Sequence, residues 1–485
     1  MQKGEPTMAV LEHLEPKQVF SYFEEIAAIP HGSGNTKAIS EYLADFAFAH
    51  DLEYHQDAMN NIIIIKEATP GYEDAAPVIL QGHMDMVCDL APGCTKDMEK
   101  EGLDLAIGED YIYAKGTTLG GDDGIAVAMT LAILASDDLA HPRLEVVLTV
   151  DEEIGMLGAL GLDASPLTAK RLISLDSETE DTIFVSCAGG NMTHLTMPVK
   201  RGPYPGTPMT VSVGGLLGGH SGIDIHLGRG NAIQILGRVL VEAAGYTDFR
   251  IIDVKGGGRE NAIPSEAQAV IMALDPDGIE KACARMDAIL KKELATPDPG
   301  VTITVGPAEE GLPMSQRSSE DLLFLLTCTP NGVQVMSPDI PDLVQTSLNL
   351  GTIAVGGQEA DLGFCLRSSV DTQTQMLVDR LMRFALAVDG RLEVSGEYPG
   401  WPFRPDSPLR ELMTQVYVEQ FGKEPKIKAI HAGAECGVFS GKIPGLDCLC
   451  ISPDMTGLHT YHEKLYISST QRIWNLVTET LRRMK

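Results

Sequence analysis

The sequence predicts an α/β protein, and three observations carry that reading. Through the first 190 residues, apolar runs of strand length alternate with segments of helical period. Glycine-rich turns separate them, and polar residues gather where the strand-like runs end, which is where open α/β sheets bind their ligands.

Taken in order, VFSYFEEIAAIP and TKAISEYLADFAFAH carry apolar residues at helical spacing between Pro16 and His50, and Pro30-His31-Gly32 divides them into two helices. The isoleucine run within 60–68 and APVILQGHMD (76–85) read as strands, GIAVAMTLAILAS (124–136) as a helix, and LEVVLTV (144–150) and RLISLD (171–176) as strands. Beyond CAGGN (187–191) the texture becomes rich in glycine and proline, marking a passage into a second domain. There AQAVIMAL (267–274) with the helix-period segment after it resembles ADLGFCLR (360–367) with its own, a spacing of 93 residues. Two similar αβ subdomains would explain that repeat. After EYPGWPFRPDSPL (397–409) helical and apolar segments resume, and they are read as a return to the first domain. The expected division is therefore 1–190 with 399–485 as one domain and 191–398 as an insertion.

Composition narrows the function. The 485 residues, 44% hydrophobic, suffice for two or three domains with a large core. A net charge of −31 argues against nucleic acid or an anionic membrane as partner. The N-terminal MQKGEPTMAVLEHLEPKQ has no basic segment followed by an apolar one, and no run approaches the roughly 18 apolar residues of a membrane span. A cytoplasmic location is expected. Nine cysteines without CxxC pairs suggest neither a disulfide framework nor a thiolate zinc site.

The chemistry gathers at strand ends. Asp151, Glu152 and Glu153 follow directly on LEVVLTV, and carboxylates crowded there repel one another unless they face water or meet a cation. His83 and Asp85 stand two apart in a strand and so share a face, with Asp85 placed to hold the His83 ring. Asp122 and Asp123 lie in the glycine turn GGDDG that opens a helix, where helix capping is the ordinary use of aspartate. Asp176 ends RLISLD, and His459 lies in GLHTYHEKLY. Each alone is weak; together they form an ordered set of imidazole and carboxylate groups.

That set, with LDSE (175–178), SCAGG (186–190), GGHSG (218–222), ENAIP (260–264) and HAGAECG (431–437), resembles the M20 family of metallopeptidases, in its aminoacyl-histidine dipeptidase branch, along nearly the whole chain. The resemblance implies a mixed-sheet di-metal aminopeptidase-like catalytic domain with an inserted α+β lid domain of two similar subdomains. It implies two divalent metal ions, zinc first, with manganese or cobalt also suited to these donors. One ion would be held by His83 and Asp176 and the other by Glu153 and His459, with Asp122 bridging. Glu152 would be the general base acting on a water shared by the ions, and His220 of GGHSG would stabilise the oxyanion. Asn261, Arg367 and Glu435 would contact substrate, Arg367 at a free carboxylate and Glu435 at an ammonium group. GGDDG leaves Asp123 as an alternative to Asp122, and HTYHE (459–463) places His462 beside His459. The expected activity is cleavage of small unblocked dipeptides, of Xaa-His type or broader. The alternatives are an N-acyl amino acid deacylase or tripeptidase on the same site, or a non-catalytic binding protein. A homodimer is admitted, and the lid, long enough for two units, is expected to bring His220 to the site within one chain.

Overall fold

The protein is described from a computed structural model covering residues 10–485; the first nine residues of the segment read above for targeting signals lie outside the described residues. The chain forms two compact units. One comprises the chain up to Ser186 with Phe403–Ala429 and Ala434–Lys485; the other comprises Cys187–Pro402 with Ile430–Gly433. The four-residue return at Ile430–Gly433 had no signal in the sequence. Among the described residues no helix is long and apolar enough to cross a membrane.

The first unit is built on an eight-stranded mixed sheet. Its order is Glu53–Gln56, Ile62–Lys66, Leu144–Thr149, Val78–His83, Arg171–Ser174, Asp447–Cys450, Thr182–Cys187, Lys426–Ile430. The middle strands are apolar without alternation because both faces are covered: Val78–His83 and Leu144–Thr149 are buried at every position. These two run parallel, and His83 lies opposite Thr149, so both chains leave the sheet at one end. The helix Gly121–Ala135 is apolar on every side and buried from Gly124 to Leu134, as a helix enclosed by other elements must be. It approaches the sheet closely at Gly82, where a Cβ atom would fall 2.5 Å from Asp123 Oδ2 and 2.7 Å from Ala126 Cβ. A second, four-stranded sheet, Met455–Thr456, Lys464–Tyr466, Tyr111–Ala114 and Leu105–Ile107, carries the loop that contains His459.

The second unit holds a nine-stranded sheet. Its main path runs Thr302–Pro307, Thr207–Gly214, Ala267–Ala273, Phe249–Gly256, then Val344–Gly356, Glu359–Ser368, Gly189–Pro198, Arg391–Tyr398. The halves meet at the short antiparallel pairing of Lys255 with Ala354 and Gly256 with Ile353. Read outward from that seam, the halves have matching order, and the two segments of the 93-residue repeat, Ala267–Ala273 and Glu359–Ser368, each stand second from the centre. One continuous core, from Leu195 through Leu236 and Leu325 to Leu381, spans both halves.

Candidate active site

In the first unit, residues remote in sequence meet beyond the ends of the parallel strands. His83 Nε2 is 3.2 Å from Asp122 Oδ1 and 4.0 Å from Asp176 Oδ1, while His459 Nε2 is 3.3 Å from Asp122 Oδ2 and 3.0 Å from Glu153 Oε1. Asp122 thus turns one carboxylate oxygen to each histidine. His83, Asp122 and Glu153 form one set whose ligand atoms lie within 4.8 Å of one another, and His83, Asp123 and Asp176 form another. Asp123, fully buried, spends Oδ2 on the main-chain N–H of His83 at 3.2 Å, and its Oδ1 has no partner. His462 joins neither set; its ring lies against Tyr461 at 4.2 Å.

The electrostatics follow from this crowding. Burial pushes Glu152 up to about 8 and Asp176 up to about 7; His83 lowers both, while neighbouring carboxylates raise them. Burial would also raise Asp122, but hydrogen bonds from His459 and His83 overcome it and hold that acid below its ordinary range. The carboxylates of Asp122, which accepts from its ring, and of Glu153 beside it push His459 up to about 10. Acids that retain protons because they are buried, and crowded by other carboxylates, are acids whose charge a cation would stabilise. Glu153 Oε1 is buried and 3.0 Å from His459 Nε2 yet has no hydrogen-bond partner, an arrangement two ligands facing a common ion would adopt. The hard oxygen and imidazole donors fit divalent ions of the zinc, manganese and cobalt type.

Asp85 meets the His83 ring through both its main-chain oxygen and its carboxylate. His83 Nδ1 lies 2.9 Å from the main-chain oxygen of Asp85 and 3.5 Å from its carboxylate, so the peptide group is the nearer partner of the ring. The carboxylate also accepts from Ser33 Oγ at 2.8 Å and from the main-chain N–H groups of Glu152 at 3.1 Å and Glu153 at 3.4 Å. It holds the turn that carries the paired acids. Asp151, left without a role by the sequence, adopts φ 55° and accepts from the N–H of Gly34 at 2.7 Å. Glu435 also has a setting of its own. It is 1% exposed, with Oε2 accepting from Gln81 Nε2 and Thr149 Oγ1 at 2.6 Å each, while its Oε1 has no hydrogen-bond partner.

In the second unit, GGHSG and ENAIP pair as a short ribbon, His220 opposite Ala262, with Ser221 N–H donating to the Asn261 oxygen at 2.9 Å. His220 Nδ1 accepts from the N–H groups of Gly222 and Ile223 at 3.2 and 3.1 Å, which places the neutral ring's proton on Nε2 as a free donor. Burial, and then Arg367, lowers its pKa and favours that neutral form. Arg367 is 6% exposed, donates to Tyr398 Oη at 2.9 Å, and leaves a buried Nε unpartnered. Buried His431 lies 2.7 Å from Ser347 Oγ. Sequence reasoning missed Ser33, Gln81, Thr149, His431 and Glu463; none stands in a spacing that signals chemistry, since each acts on groups brought near by the fold.

Comparison with known proteins agrees with this architecture. The model of peptidase family M20/M25/M40 matches residues 79–483, and the chain belongs to that family. It is 36% identical over 480 residues to the cytosol non-specific dipeptidase of Escherichia coli (strain K12), covering 98% of this chain and 99% of the relative. Aminoacylhistidine dipeptidase from Vibrio alginolyticus superposes with a TM-score of 0.91 at 34% identity, covering 97% of each chain. Aminopeptidase PepT from Bacillus cereus ATCC 10987, at 17% identity, TM-score 0.57 and coverage of 97% of this chain and 99% of that one, shares the fold.

Proposed function

We propose that this chain is a di-metal dipeptidase that hydrolyses small unblocked dipeptides, of Xaa-His type or with broader tolerance. The observation that carries the reading is similarity along the full length to two proteins named as dipeptidases, joined to a carboxylate and imidazole cluster at the strand ends. His83 and Asp176 would hold one ion, Glu153 and His459 the other, and Asp122 both; zinc suits these donors first. When bound, such ions polarise a scissile carbonyl and lower the pKa of water toward about 7. Glu152 takes a proton from the attacking water as its oxygen bonds to the carbonyl carbon, then delivers that proton to the amine as the C–N bond breaks. Asp85 keeps Glu152 and Glu153 in register by gripping their N–H groups. His220, with its proton on Nε2, donates to the developing oxyanion. Arg367, with an unpartnered Nε, receives the substrate's free carboxylate, and Asn261 contacts its backbone. None of the nine cysteines forms a disulfide, which suits the cytoplasm.

The test is turnover of dipeptides, tripeptides, N-acetylated dipeptides and N-acyl amino acids, with zinc, manganese or cobalt supplied. Free dipeptides should be cleaved and their N-acetylated forms spared. Faster turnover of N-acyl amino acids or tripeptides would contradict the reading.

A further inference from the structure

Two segments of the first unit that carry proposed metal ligands, the turn before Asp122 and the loop around His459, are joined by a single buried side chain. Glu463 is 3% exposed. Its Oε2 accepts from the N–H groups of Leu119 at 2.8 Å and Gly120 at 3.1 Å, and its Oε1 from those of Gly121 at 2.8 Å and Asp122 at 3.2 Å. Four successive N–H groups aimed at one point make a concavity for an anion, and here the protein fills it with its own carboxylate. The glycines permit the approach. Gly120 lies at φ 67°, and a Cβ at Gly121 would stand 3.2 Å from Glu463 Oε1.

The other end of the tie is equally defined. Glu463 closes the loop that begins at Gly457: its N–H donates to Thr460 O at 3.1 Å, and the Thr460 N–H donates to Gly457 O at 3.2 Å. His459, at φ 61°, lies inside this closed loop. A second tie runs alongside, for Tyr461 N–H donates to Asp89 Oδ2 at 3.1 Å, and the Asp89 N–H donates to Thr118 Oγ1 at 3.1 Å. Hydrogen bonds therefore tie the loop to the turn, and Glu463 accepts four of them.

We infer that Glu463 is a positioning residue for the metal centre: by gripping the four N–H groups of 119–122 it sets the spacing between Asp122 and His459, and so the affinity for the ions. The inference rests on the metal reading proposed above. Glu463→Gln is the sharpest probe, because the amide presents its own N–H groups to a concavity of N–H groups while keeping the shape. Glu463→Asp keeps the charge with a shorter reach.

Metal-free wild type and both variants are titrated with zinc against a chromophoric chelator, and folding is followed by circular dichroism. We expect Glu463→Gln to bind zinc about 10- to 100-fold more weakly, as loss of a group supporting metal ligands typically does, and Glu463→Asp to recover part of the loss. Ile473→Val, in the buried core, sets the baseline for lost stability alone and should keep wild-type affinity. Folded Glu463 variants that melt earlier yet bind zinc as the wild type does would overturn the inference. Should Glu463→Gln fail to fold, Glu463→Asp decides by the same titration: weakened binding supports the inference and unchanged binding overturns it. A wild type that binds no zinc, manganese or cobalt would overturn the metal reading and this inference with it.

Discussion

Asp85 illustrates how a carboxylate can serve a site through the backbone of its neighbours. By accepting from the N–H groups of Glu152 and Glu153 it fixes the direction of two side chains at once, and Ser33 fixes Asp85 in turn. His431 offers a residue-scale test of a different kind. Burial, followed by Arg367 and nearby histidines, lowers its pKa to about 3 from the ordinary 6.5. The unfolded chain therefore takes up a proton as pH falls through 6.5 while the folded chain waits until about 3, so stability declines across that window. Replacing His431 with Asn should flatten unfolding free energy against pH between about 6 and 5, by up to about 1.4 kcal/mol per pH unit. Chemical denaturation at several pH values measures it, and an unchanged slope would contradict the buried neutral histidine.

Among elements, the contact between the helix Gly121–Ala135 and the strand Val78–His83 decides where Asp122 and Asp123 lie. Gly82 is the point of approach, so Gly82→Ala must push Asp123 and Ala126 away, costing about 1–3 kcal/mol as overpacking does. A urea midpoint equal to wild type would contradict so tight a contact. The core strands were legible in the sequence because β-branched runs between glycine turns have few other uses; those read at 144–150 and 171–176 form Leu144–Thr149 and Arg171–Ser174. The helix read at 124–136 has its regular start at Gly124, because Asp122 (φ −85°, ψ 102°) and Asp123 (φ −119°, ψ 29°) in the glycine turn before it are not helical. The short strands Leu105–Ile107 and Met455–Thr456 escaped notice, since two or three residues carry no period and the two hairpins they belong to meet only through the pairing of Lys464–Tyr466 with the sequence-remote Tyr111–Ala114.

At the scale of the whole molecule, membership of peptidase family M20/M25/M40 and the mixed α/β architecture follow from comparison and structure together. The chemistry-bearing residues were readable as a set because their types are unusual at strand ends. Supports such as Glu463 were not, because it is an ordinary acid until the fold surrounds it with N–H donors. Asp151, Glu152 and Glu153 stand adjacent in sequence yet differ in setting: Asp151 ties Gly34, Glu153 faces His459, and Glu152 is the base we propose. The central claim is this division between Glu152 and Glu153. Its most direct test is metal content measured beside dipeptide turnover after chelator dialysis and reconstitution of wild type, Glu152→Gln and Glu153→Gln. Wild type should lose activity with its metal and regain both; Glu152→Gln should retain two ions while turnover falls by about 10² or more; Glu153→Gln should lose metal. Two ions and normal turnover in both variants, or full activity in metal-free wild type, would contradict it.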